Sequence, residues 1–582
     1  MPAVSDRARR RSFWVLLALA CFFWAAGESY GGQASLPWQG SIVAPARGVN
    51  GMVATQEAQA TRIGVEVLNR GGNAVDAGVA IGFALAVTLP EAGNLGGGGF
   101  MLIHRGETEE TVVIDYRETA PGRASRDMFL DEQGEVDLMR VQFSHLAAGV
   151  PGTVAGLALA QARYGALSLK EVLAPAIALA QEGIVVSPEL AASLSAASAH
   201  LRRWPETARI FFKPDGSPYR VGERFVQRDL ARSLQQIAEQ GPTAFYEGAV
   251  AEKIAREMKV HGGLITKADL RGFHAIMRQP VVGTYRGYRI RSVPPPSSGG
   301  VHLIQLLNLL EGFPMGQLGV NSVDTIHLMA EAMKLVYADR SRYLGDPDFV
   351  TVPVSGLIAK DYAAQSRLRI DGIQARPSDA IAPGDPLCCE SAQTTHYSVM
   401  DAAGNVVSNT YTLNFAYGSG IVVGGTGILL NNQMGDFSAK AGAANAYGLV
   451  GGEANAVRPG KRPLSSMTPT IVFKDGRPIL ATGTPGGSRI ITTVLQVILN
   501  VIDHGMEIAA ATAAPRVHHQ WLPDVLQVEP GLRVETLAQL AKRGHEIEMR
   551  DAMGSVQSIV RDGNGFLGVS DPRTPGGLAL GY

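Results

Sequence analysis

Cysteine is nearly absent: Cys21, Cys388 and Cys389 are the only three in 582 residues. Cys388 and Cys389 are neighbours, and adjacent cysteines close at best a strained ring, so no disulfide framework can carry stability. An excess of either charge is missing too. With 52 basic and 53 acidic residues the net charge is −1, which argues against a polyanion-binding surface and so against nucleic acid as a partner. There is no internal repeat, heptad run or low-complexity tract. No Asn-x-Ser/Thr acceptor occurs, which leans towards a bacterial periplasm over a eukaryotic surface.

No segment beyond the N-terminus approaches membrane length without charges or helix breakers. Arg7, Arg9, Arg10 and Arg11 precede an apolar run from Phe13 to Ala26, and small and polar residues follow to Ala34. Basic, apolar, then small is the order of a secretory signal. The run is about 14 residues, against about 20 for a bilayer span. Ala18 stands where a lipoprotein signal ending at Cys21 would carry Leu, which discounts lipidation. The expectation is a signal peptide over 1–34 and a mature chain that is periplasmic or secreted, with no stable membrane span. An uncleaved anchor is the second reading.

What is present is ample core material, with 46% hydrophobic residues, and 68 glycines in short clusters that suggest turns and close backbone approaches. The patterning predicts helices over Thr55–Arg70 and Asn73–Leu89, the second apolar all round and therefore interior. Gly96 to Gly99 lacks both the Gly-Lys-Ser/Thr ending and the GxGxxG spacing of nucleotide loops, and reads instead as a tight turn under a site. Strands are expected over Phe100–His104, Thr111–Tyr116, Tyr285–Val293 and Gly425–Asn432. Further helices are expected over Thr153–Tyr164, Leu169–Gly183, Val301–Gly312, Asn321–Arg342 and Arg489–Ile502. This alternation suggests stacked sheets covered by helices.

Two-thirds of the way along stands Ser391-Ala392-Gln393-Thr394-Thr395-His396-Tyr397-Ser398. Thr395–Met400 and Val406–Leu413 read as a hairpin turning near Ala403, so facing residues sum to about 806 and Thr394 falls opposite Thr412. Downstream, Ser438–Gly452 has the composition of a mobile loop with Tyr447 in its middle. A strand, then Gly483-Thr484-Pro485-Gly486-Gly487-Ser488, then a helix makes the N–H groups near Gly486 and Gly487 a candidate anion site. His518-His519 is not at metal-ligand spacing, so no metal and no cofactor are expected.

Taken together, the chain from about Gly51 to Tyr582 resembles the γ-glutamyltransferase (γ-glutamyltranspeptidase) family of the N-terminal-nucleophile hydrolases. The residues that carry the resemblance are Gly93–Phe100, Asp115-Tyr116-Arg117, Pro294–Gly300, Gln393–Tyr397, Asn431–Met434, Arg462–Met467 and Thr484–Arg489. The resemblance implies an α+β fold, a four-layer αββα sandwich built as one heterodimeric unit from a self-cleaved precursor. Cleavage between Gln393 and Thr394 would leave a large subunit, 35–393, and a small subunit, 394–582. Thr394 would be the nucleophile. Freed as a chain terminus, its own α-amino group, with a reference pKa of roughly 7.7–8.0, can take the hydroxyl proton.

The remaining roles follow from the same resemblance. Thr412 would hydrogen-bond Thr394, and Gly486 and Gly487 would form the oxyanion hole. Arg117 with Ser465 and Ser466 would hold the α-carboxylate of a γ-glutamyl donor such as glutathione, and Asp436 with Asn414 and Gln433 its α-ammonium. Tyr447 would be a lid. Acceptors would be an amino acid, a dipeptide or water. Two departures stand out: Phe415-Ala416-Tyr417 replaces small polar residues followed by Phe, and Gly435 replaces an acidic or polar residue. The alternative is a glutaryl or cephalosporin-type acylase of the same superfamily, which would need no ammonium clamp.

Overall fold

Side-chain alternation along the strand Val406–Thr412 decides the layering. Val407 and Tyr411 pack with Tyr397 and Val399 against a helical layer, while Val406 and Met400 face the opposite way. A period of two puts successive residues on opposite faces, and here both faces are buried. The computed structural model describes residues 44–386 and 396–582. The 1–34 signal, Cys388, Cys389, Gln393, Thr394 and Thr395 therefore lie outside the described residues.

Val406–Thr412 is the centre of a seven-stranded sheet in the order Leu578–Gly581, Gly51–Thr55, Tyr397–Asp401, Val406–Thr412, Gly98–His104, Thr111–Asp115, Ile276–Arg278. A second seven-stranded sheet runs Ala46–Gly48, Gly565–Ser570, Gln557–Asp562, Arg477–Thr482, Thr470–Lys474, Tyr288–Ser292, Val281–Tyr285. Met52, Ala54, Phe100, Leu102, Val113, Met400 and Val406 of the first meet Ile471, Phe473, Ala481, Ile559 and Phe566 of the second. The outer face of the first sheet is covered by helices Ala58–Asn69, Ala74–Thr88, Thr153–Tyr164 and Leu169–Glu182. That of the second is covered by Gly299–Leu310, Val323–Tyr343 and Ile490–Ile502. The result is the expected αββα sandwich.

The expected hairpin register holds over its described part: Tyr397 pairs with Asn409, Ser398 with Ser408, Val399 with Val407 and Met400 with Val406. Helix Ala74–Thr88 is buried along its whole length and starts at an Asn73–Asp76 capping box. Its carbonyls receive the hairpin directly. The Tyr397 hydroxyl donates to the Gly78 carbonyl at 2.5 Å, and the Tyr411 hydroxyl to that of Gly82 at 3.0 Å. At the turn, Asp401 accepts from the Ala74 N–H at 2.9 Å.

Four sequence expectations are corrected. The first helix begins at Ala58, because Gly51–Thr55 is claimed by the sheet and Glu57 caps the helix. Tyr285–Val293 is two strands turning at Arg286 and Gly287, both at positive φ. Gly425–Asn432 pairs as a strand only at Ile428–Leu429. The Gly96–Gly99 cluster is not a turn. Gly98 and Gly99 open a strand, and a Cβ on Gly99 would sit 2.3 Å from the Thr410 carbonyl oxygen and 2.6 Å from the Tyr411 Cα. The glycines there permit close passage of one strand beside another.

Among the described residues no helix is long and apolar enough to cross a membrane.

Gly99→Ala should therefore yield little folded protein, or a thermal midpoint far below the parent, because backbone atoms cannot retreat from the added carbon. Gly372→Ala, where nothing lies within 4 Å, should change stability by less than about 1 kcal/mol. Melting of the two variants side by side checks this, and a stable Gly99→Ala would contradict the packing described.

Candidate active site

A cleft of about 320 Å³ opens where the central strand ends. Thr412, the last residue of that strand, lines it together with Asn414, Gln433, Asp436, Tyr447, Ser465, Ser466, Gly486 and Gly487. Nine expected site residues, drawn from five separate stretches, thus share one cavity. Local structure explains how each arrives. Asn414 leaves the strand at φ +84, and Gln433–Asp436 forms a single 3₁₀ turn. Ser465 bridges Ser297 in parallel. Gly486 and Gly487, at φ +138 and +58, turn the chain into the helix Ile490–Ile502. The φ of +138 at Gly486 suits glycine alone.

Asp436 is the electrostatic centre. Its Oδ2 accepts from Arg117 Nη2 at 2.6 Å and from Gln433 Nε2 at 2.7 Å. Arg117 is fully buried behind it, and its Nε donates to the Pro463 carbonyl at 3.1 Å. Arg117 Nη1 and Gln433 Oε1 are buried with no hydrogen-bond partner among the described residues. Buried polar atoms without partners are costly, and these two belong to the side chains that hold the Asp436 carboxylate. Asn414 Oδ1 accepts from the Tyr447 hydroxyl at 2.9 Å, and its N–H donates to Thr412 Oγ1 at 2.8 Å.

Tyr447 closes one side. Its ring lies where a Cβ on Gly487 would be, 2.6 Å away, and it packs on Phe415 with ring centroids 5.2 Å apart. Phe415 thus forms part of the rim, whereas Tyr417 is buried and bonded to Ser193 Oγ at 3.0 Å. Gly435 has a steric reason, since a Cβ there would meet Val141 Cγ1 at 3.0 Å.

Sequence reasoning missed Arg340. It stands in the helix Val323–Tyr343, lines the cleft, and donates from Nε to Ser298 Oγ at 2.9 Å and from Nη2 to Ser466 Oγ at 3.2 Å. Burial brings its pKa down to about 10, against the opposing influence of Tyr337 and Asp436, so it stays charged at neutral pH. The only signal in sequence was a charge within an expected helix, a pattern shared with many solvated faces. Ser298, bound to Arg340 and to the Ser465 carbonyl at 2.8 Å, is a structural link. His396 contacts Ser398 Oγ, and burial takes its pKa down to about 3, so it is neutral between the sheets. His518 and His519 turn to different partners, Thr492 and Asp524.

Glu118 was also missed. It lies 3.5 Å from Arg117 Nη1 and is fully buried, with neither carboxyl oxygen hydrogen-bonded among the described residues. Burial raises its pKa from 4.5 to about 7, although the Arg117 charge opposes this. Between those values the folded chain holds a proton that the unfolded chain has released, so this group makes stability fall as pH rises through the window. Glu118→Gln should flatten that fall: its melting temperature relative to the parent should increase between pH 4.5 and pH 8. Parallel melting curves for the two proteins across that range would contradict the assignment.

Residues 60–581 match the sequence model of the family described as gamma-glutamyltranspeptidase. The glutathione hydrolase proenzyme of Escherichia coli (strain K12) is 53% identical over 580 residues, covering 99% of each chain. Among solved structures, a cephalosporin acylase from Bacillus halodurans superposes with a TM-score of 0.83 at 30% identity, covering 95% of this chain and 99% of that one. The Helicobacter pylori gamma-glutamyltranspeptidase is 48% identical with a TM-score of 0.56, covering 57% of this chain and 94% of that chain. From fold, site and sequence alike, the chain belongs to the gamma-glutamyltranspeptidase family.

Proposed function

We propose that this protein is a self-processing γ-glutamyltransferase and glutathione hydrolase. The observation that carries the reading is the carboxylate of Asp436, set at the cleft with Gln433 and Asn414 beside it and Arg117 behind it. An α-amino acid presents an ammonium and a carboxylate on one carbon. Asp436, Gln433 Oε1 and Asn414 offer acceptors to the first; Arg117 Nη1, Ser465 and Ser466 offer donors to the second. Arg340 serves as a positioning residue, holding Ser466 and Ser298. The name of the Escherichia coli relative supports glutathione as donor.

In this reading the precursor cleaves itself between Gln393 and Thr394, and residues 35–393 and 394–582 remain together as a heterodimer. The solved Helicobacter pylori chain, which spans 57% of this one, supports two separate polypeptides. The freed α-amino group of Thr394 takes the proton from its own hydroxyl as Oγ attacks the γ-carbonyl carbon. Thr412 orients that hydroxyl. Charge developing on the carbonyl oxygen is met by the Gly486 and Gly487 N–H groups. The amine leaves with the transferred proton, and an ester to Thr394 remains. An amino acid, dipeptide or water then attacks the ester and regenerates the hydroxyl. Tyr447 limits water access to it. The N-terminal signal over 1–34 would place this chemistry in the periplasm or outside the cell.

Purified protein should run as two bands on a denaturing gel and release aniline from a γ-glutamyl anilide, faster when a dipeptide acceptor is added. Thr394→Ala should abolish both processing and release. Normal processing of that variant would exclude Thr394 as nucleophile.

The ammonium clamp separates this reading from a glutaryl-type acylase, whose donor lacks that group. Asp436→Asn, verified as folded by circular dichroism, should lower kcat/KM on the γ-glutamyl anilide by roughly 100-fold or more, the scale for breaking a buried charge pair. Turnover of a glutaryl anilide should fall far less. Equal losses on both substrates would sink the clamp.

A further inference from the structure

Away from the cleft, His145, Glu257 and His261 bring three ligand atoms within 4.8 Å of one another. His145 opens the short 3₁₀ turn His145–Ala147. Glu257 lies in the helix Ala249–Val260 and His261 caps its C-terminus, four residues on and so on the same side. His145 Nε2 is 3.0 Å and His261 Nε2 3.5 Å from the same carboxylate oxygen, Glu257 Oε1. The two rings stack nearly parallel, at 16° with centroids 4.8 Å apart, so His261 must rotate for both nitrogens to reach one ion. Trp204 walls the site, edge-on to His145 at 4.9 Å.

We propose that these three side chains form a zinc site that clips the His145 turn to the helix Ala249–Val260. Two imidazole nitrogens and one carboxylate are a donor set suited to zinc, whereas calcium and magnesium require oxygen ligands. Zinc bonds of about 2.0–2.2 Å in tetrahedral geometry separate neighbouring donors by roughly 3.3 Å, and the two observed separations bracket that distance. The side chain of His145 is 2% exposed and that of Glu257 18%, which excludes bulk water from one side. That of His261 is 45% exposed, free to swing the last ligand inward and leaving room for a water in the fourth position. The clip would also brace the cleft wall, because Gln142, just before the turn, accepts from Asn432 Nδ2 through its carbonyl at 3.0 Å.

The test uses the processed full chain without a histidine tag, stripped with a chelator and dialysed against zinc at pH 7.5. Metal bound per chain is measured by mass spectrometry and affinity by competition with a chromophoric chelator. One equivalent is expected, with affinity reduced at least about 100-fold in both His261→Ala and Glu257→Gln. Cobalt(II) should give a visible four-coordinate absorption in the parent that is lost in the variants. Both variants retain the catalytic residues, so γ-glutamyl anilide turnover without added metal should be unchanged and reports folding. If the parent takes up no zinc, or if folded variants bind it equally, the cluster is a metal-free ion pair and the proposal falls.

Discussion

A hairpin buried on both faces constrains everything else in this protein. Tyr397–Asp401 and Val406–Thr412 cannot slip by one residue, since that would exchange the helix-facing and sheet-facing sets of side chains. The tyrosines lock the same choice with hydrogen bonds, Tyr397 to the Gly78 carbonyl and Tyr411 to that of Gly82. Because the register is fixed on one side by a helix and on the other by a sheet, Thr412 emerges at the cleft and not within either layer. The glycines of Gly96–Gly99 serve the same constraint by letting the next strand pass closely.

At the end of that strand the problem becomes electrostatic. Two arginines, Arg117 and Arg340, and two carboxyl groups, Asp436 and Glu118, are buried together. Asp436 meets Arg117 at 2.6 Å, whereas Glu118 meets the same guanidinium only at 3.5 Å and loses more by burial than it gains. Removing charges from water is expensive unless each is paired and hydrogen-bonded. Arg117 Nη1 and Gln433 Oε1 have no hydrogen-bond partner among the described residues, and the proposed zwitterionic donor would supply one to each. In the proposed reading this links pocket stability to donor chemistry, and the ammonium clamp would be the feature that divides γ-glutamyl from glutaryl substrates.

Much of the architecture was legible in advance. The all-apolar helix Ala74–Thr88, the hairpin register and the strand–glycine–helix passage at Gly486 all follow from periodicity and turn chemistry. Errors arose where a tertiary neighbour overrode local pattern. Thr55 was drawn from a helix into a strand paired on both sides, and Arg286-Gly287 turned a strand that lacks the usual Asn-Gly signal. In the cleft the expected residues came from motifs, but Arg340 and Glu118 carried no motif. Their importance lies in having been buried, which a single sequence does not display.

The sequence by itself determined the order of elements, the inward and outward faces of each strand and the polar residues available to a site, because these depend on spacing along one chain. Tertiary structure alone decided which polar atoms share a carboxylate. It set Arg117 and Gln433 on one oxygen of Asp436, Tyr447 against Gly487, and His145 beside Glu257 and His261. Those pairings depend on distances of about 3 Å between residues up to hundreds of positions apart, and on burial strong enough to shift a proton equilibrium. Neither quantity is carried by local pattern; both appear only when the layers close.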